Sequence, residues 1–230
     1  MWGLTRAYDD QPTIEVDFKG LHIAMLYALA DSEMTHDPYD IPQSLFQTYP
    51  KAVVRILVKR LALTAINAKN KSSAYKAFRE SFPAQSLGKS LDNKTLNNLL
   101  KAFLTHNPIL TDCLFSDRGI HLMYLDSQIT SYIHNHFTSL GVPVLSVHDS
   151  YIIDHMRVAE MRQVMADASE AVMKRALPSA IKLPDMPEYE DVTDEALQDH
   201  IENRKGIRCV GYVERMLAYE AKTGRTICPI

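Results

Sequence analysis

Two aspartates carry the first chemical signal in this chain. Asp17 closes "PTIEVDF" (12–18), an alternating segment with Ile14 and Val16 on one side. Asp149 interrupts "VLSVHDSYIID" (144–154), which otherwise reads as a buried run of β-prone residues. An unpaired carboxylate buried there costs roughly several kcal/mol. Either a cation neutralises Asp149, or His148-Asp149-Ser150 is a polar hairpin turn. Two strand-end aspartates, distant in sequence, can meet on adjacent strands of one sheet. Such a pair can bridge two Mg²⁺ ions about 4 Å apart, the arrangement used for in-line phosphoryl transfer. Mg²⁺ takes one or two protein carboxylates and leaves its remaining positions to water and substrate phosphates. Mn²⁺ accepts the same oxygen donors.

A second signal is basic. Arg55, Lys59, Leu63 and Asn67 stand at i, i+4, i+8 and i+12 of "KAVVRILVKRLALTAINAKN" (51–70), one slowly drifting stripe if the segment is a helix. A triphosphate above that stripe meets a guanidinium and then an ammonium, and Lys59 can give a proton to leaving pyrophosphate. A solvated helix face produces the same spacing. The stripe lies within residues 51–101, which carry eleven Lys/Arg against two acids, about +9 locally. Lys69, Lys71 and Lys94 of this run are candidates for contacts with a nucleic-acid backbone. Residues 185–202 are the reverse, with eight acids and no Lys or Arg.

These groups need elements to hold them. The strand at 12–18 feeds into a helix over 20–31, and further helices are expected at 51–70, 71–81 and 91–106, the last capped by Asp92. Residues 117–141 read as a helix closed by Gly141 at C′, followed by the hairpin around Asp149. A Met-rich helix (156–177), a proline-punctuated connector from 178, and helices near 193–203 and 208–222 complete the chain. Met156, Met161, Met165 and Met173 are read as core filling. The fold expected is α+β, a small antiparallel sheet under many helices. Glu15 flanks Asp17 and is expected on the opposite face. His148-Asp149-Ser150 is not expected to be a hydrolytic triad, since neighbours on a strand point to opposite faces.

At this point the chain resembles a known family. "VDFKGLHIAML", "RILVKRLALTAINA" and "LSVHDSYII" look like motifs A, B and C of the DNA polymerase I (family A) superfamily, in the family's order. That superfamily includes the single-subunit phage RNA polymerases, whose motif C is also His-Asp-Ser. The resemblance spans roughly 12–155, with weaker echoes in "HDPY" (36–39) and Asp126. It implies palm segments at 1–50 (motif A) and 117–180 (motif C), a fingers-like region at 51–116 (motif B), and a helical extension at 181–230. It further implies that Asp17 and Asp149 hold two Mg²⁺ and that Arg55 and Lys59 bind the nucleotide. Leu63, His22 and Asn67 would line the nucleotide pocket, with His148 near the primer end. Three departures stand out. Asn67-Ala68 replaces the motif B Tyr-Gly, Leu63 replaces its Phe/Met, and His22 occupies the sugar-gating position that is Glu or Gly in the family. Sixteen residues precede Asp17, so no thumb is expected upstream, and a homo-oligomer or partner subunit could supply that wall.

Composition is ordinary for a globular protein, with formal net charge −3. Three scattered cysteines without a CxxC suggest a reducing cytoplasm, and the opening "MWGLTRAYDD" lacks a signal-peptide core. No apolar run approaches the roughly 18 residues of a membrane span. The function expected is a minimal DNA polymerase-like nucleotidyltransferase of DNA replication, extending a primer on a template from nucleoside triphosphates. A non-catalytic palm-derived binding protein, an RNA polymerase or primase-like enzyme, and a metal-dependent nuclease are the alternatives.

Overall fold

The computed structural model describes residues 7–8, 11–42, 48–183, 186–187, 190–203, 214, 217–218, 220–222 and 224. The helix expected near 208–222 therefore lies largely outside the described residues. The fold is α+β, as expected, with helices predominating over one small sheet. The chain divides into two compact units, one of residues 1–17, 137–164 and 179–230, the other of residues 18–136 and 165–178.

The first unit holds the sheet. Its strands are β1 (Ala7–Tyr8), β2 (Gln11–Phe18), β3 (Leu145–Val147), β4 (Ser150–Asp154) and β5 (Ser179–Lys182). The order is β1-β2-β4-β3, and β5 also pairs with β2. Pairings β1–β2, β2–β4 and β3–β4 are antiparallel. Alternation in β2 is carried through to burial: Ile14 and Val16 are inside, whereas Thr13, Glu15 and Asp17 are half-exposed. Central β4 buries Tyr151, Ile152 and Ile153 in succession. β3 departs from expectation. It lies at the end of the strand order, and Leu145 and Val147 are exposed rather than buried.

The second unit is helical: α1 (Leu21–Leu29), α2 (Lys51–Asn67), α3 (Lys71–Glu80), α4 (Leu87–Ser90), α5 (Asn93–His106) and most of α6 (Gly119–Ser139). α2 packs on α3 and α5, and it buries Val54, Leu57, Val58, Leu61, Ala62, Ala65 and Ile66. It ends three residues earlier than expected, because Asn70 begins α3 instead, its side chain accepting from Ser73 N–H at 2.9 Å. Asp92 caps α5 as anticipated, accepting from Thr95 N–H at 2.7 Å. Gly141 (φ 68°) closes α6 in a Schellman arrangement: Val142 N–H donates to the Phe137 carbonyl and Gly141 N–H to that of Thr138.

Two elements complete the description, α7 (Val158–Met173) and α8 (Asp194–Glu202), the latter capped by Thr193. Met161, Met165 and Met173 fill core as expected, but Met156 precedes α7 and is 77% exposed. The expected connector from 178 contains β5, whose four residues stand at the lower limit at which alternation marks a strand. Among the described residues no helix is long and apolar enough to cross a membrane.

Candidate functional site

Strand register brings the two aspartates into neighbouring positions. In the β2–β4 ladder Asp17 pairs with Ser150, so Asp149 lies one residue beyond that pair, in the turn between β3 and β4. His148 and Asp149 form this two-residue turn, and His148 adopts the left-handed φ of 57° that the reversal requires. Both expectations for the tripeptide therefore meet: it is a polar turn, and that turn carries Asp149 to Asp17's end of the sheet. Alternation does not exclude a triad at this turn. His148 and Asp149 are turn residues, to which strand alternation does not apply, while the Ser150 hydroxyl donates to the Val147 carbonyl at 3.0 Å.

Glu15 corrects the sequence reading. Residues two apart on a pleated strand point to the same face, so Glu15 shares the side of Asp17. Lys182 of β5 makes this concrete: its Nζ lies 3.3 Å from Glu15 Oε1 and 3.8 Å from Asp17 Oδ2. Asp17 Oδ1 is fully buried. Sequence reasoning missed Lys182 because β5 was hidden between prolines. An isolated "SAIKL" with Pro178 before it was the available signal.

These groups fit a hard divalent ion. The donors are carboxylate oxygens, and the Lys182 ammonium already stands as a cation against two of them. Among the described residues no group of three or more His, Cys, Asp and Glu is gathered as a metal cage. Mg²⁺ does not need one, since water and phosphate fill most of its shell.

The basic stripe belongs to the helical unit. Arg55, Lys59 and Leu63 of α2 are half-exposed and Asn67 is exposed, so the four do form the expected stripe beside the buried face. Arg55 is engaged. Its Nε donates to Asp37 Oδ2 at 2.6 Å, and its guanidinium lies 5.5 Å from the Tyr39 ring centroid. The "HDPY" segment is thus fastened to α2. It is fastened again by buried Asn107, whose amide donates to the Pro38 and Phe103 carbonyls while its oxygen accepts from Tyr27 Oη. His36 stands 3.2 Å from the same oxygen. Sequence reasoning saw "HDPY" but not Asn107, which no motif marks.

Asn67 sits against the start of α6, where a Cβ on Gly119 would run into its amide. The last carbonyls of α2 accept from the loop before α6: Phe115 N–H reaches Ala65 at 2.7 Å and Arg118 N–H reaches Ile66 at 3.2 Å. His22 is half-exposed on α1, one residue after Leu21. Gly20 permits the turn into that helix, with φ 59° that an L side chain rarely adopts. Lys69, Lys71 and Lys94 are exposed; Lys69 lies 3.5 Å from Asp117 and Lys71 donates to Asn97 at 2.8 Å. Asp126 accepts a long 3.4 Å contact from Thr130 Oγ1.

No family model, curated protein or solved structure matches the chain. The candidate site therefore stands on its own residues and their geometry.

Proposed function

We propose that this chain is a template-directed nucleotidyltransferase, a minimal relative of the family A polymerases working in the cytoplasm. The observation that carries the reading is the β2–β4 register, with Asp17 opposite Ser150 and Asp149 in the adjoining turn. In this reading Asp17 and Asp149 hold Mg²⁺. The bound ions supply charge neutralisation and a more acidic primer hydroxyl. Lys59 binds the triphosphate and gives a proton to departing pyrophosphate. Arg55 supports that role by fixing the 36–39 segment through Asp37. His22 and Asn67 shape the nucleotide pocket beside Leu63, and His148, exposed at the hairpin tip, meets the primer end. Lys69, Lys71 and Lys94 contact the nucleic-acid backbone.

One observation favours a second reading. Glu15 on the face of Asp17 adds an acid, and metal-dependent nucleases gather several. Incubation with end-labelled primer–template, Mg²⁺ and either dNTPs or NTPs separates the readings. Lengthened primer is the result expected, shortened strand names a nuclease, and gel retention without either names a binding protein.

A further inference from the structure

We propose that Lys182 is a built-in counter-cation that competes with the divalent ion for Asp17. The inference rests on the two-metal reading above, and it concerns how that site is held between binding events.

Glu15 and Asp17 share one face of β2, and like charges on that spacing repel. Lys182 Nζ reaches both, at 3.3 Å from Glu15 Oε1 and 3.8 Å from Asp17 Oδ2. Its side chain is 39% exposed, against 31% for Glu15 and 26% for Asp17. Each contact is therefore weak enough to be broken without unfolding the sheet. A lysine is suited to this: a compact point charge on a long stem can withdraw into water while its strand stays paired. Mg²⁺ would carry twice the charge of the ammonium, so the two would repel each other at Asp17 and compete for its negative charge. A bound ion would therefore favour withdrawal of Lys182 from Asp17, and Glu15, 3.3 Å from Nζ, would keep the ammonium near. Lys182 is thus a positioning residue that offsets the charge of both acids until the ion arrives.

The test is Mn²⁺ binding followed by electron paramagnetic resonance, with thermal unfolding measured across a Mg²⁺ titration, for the full chain and K182Q. Removing the competitor should tighten Mn²⁺ binding about five- to tenfold. It should also lower Tm without metal and make Tm rise more steeply with Mg²⁺. K182R, which keeps the charge, should behave as the wild type. Wild-type Mn²⁺ binding that K182Q leaves unchanged overturns the competition and spares the two-metal reading. Absence of Mn²⁺ binding in both proteins overturns the two together. If K182Q is unfolded without metal, recovery by Mg²⁺ but not by NaCl of equal ionic strength supports the proposal, and no recovery overturns it.

Discussion

Arg55 and Asn107 both anchor the 36–39 segment of the helical unit. Arg55 is 13% exposed and its 2.6 Å contact with Asp37, 29% exposed, is charge-assisted and half-sheltered from water. A double-mutant cycle with R55A and D37A, read by urea unfolding, should give a coupling energy of about 1–3 kcal/mol. A coupling near zero would show that the pair is a surface coincidence. Asn107 is wholly buried and satisfies a tyrosine hydroxyl and two backbone carbonyls at once. N107A leaves all of these unpaired inside the unit and should destabilise it by roughly 2–4 kcal/mol. A loss within experimental error would contradict the network. Lys59 differs from both, since its proposed role is chemical. K59A should lower extension about 100-fold while leaving primer–template affinity intact.

At the scale of elements, the capping chemistry was readable and the edges of the sheet were not. Asp92 and Gly141 act within a few residues of themselves, so sequence alone placed the start of α5 and the end of α6. The β2 alternation was likewise local. By contrast, exposure of β3 depends on its position at the end of the strand order, and Lys182 meets Asp17 only because β5 pairs with β2. Neither is encoded near the residues concerned. Glu15 is a different case: strand periodicity alone places it with Asp17, and the opposite-face expectation misapplied that rule. The Asp92 cap yields a pH prediction. The Thr95 backbone N–H, then the Thr95 side chain, holds the Asp92 carboxyl below its ordinary 3.8, with Lys94 and Arg79 adding smaller pulls against desolvation. A carboxyl depressed in the folded state stabilises above its unfolded value and loses that contribution as pH falls through the lower folded one. Wild type should therefore exceed D92A in stability near neutrality, and the gap should close only below about pH 4. A gap independent of pH down to full protonation would refute the ionised cap.

For the whole molecule, the charge distribution matters more than the net −3. Eleven Lys/Arg within residues 51–101 give the helical unit a local excess that the total conceals. Primer–template binding should weaken steeply between about 50 and 200 mM salt as phosphate contacts release counterions. K94A should flatten that dependence slightly and weaken binding without altering nucleotide use, the reverse of K59A. A flat salt response would leave the basic segment as a solvated surface.

In the proposed reaction Asp17 and Asp149, placed at one end of the sheet by the β2–β4 register, serve together. Single-turnover primer extension in Mg²⁺ by wild type, D17N and D149N addresses it directly. Each substitution keeps side-chain volume and removes one oxygen charge, and each variant should remain folded, with Tm without metal shifted by no more than about 1 kcal/mol in equivalent stability. If both aspartates serve that reaction, each folded variant loses extension by at least about 100-fold. Extension near the wild-type rate by either folded variant would contradict it.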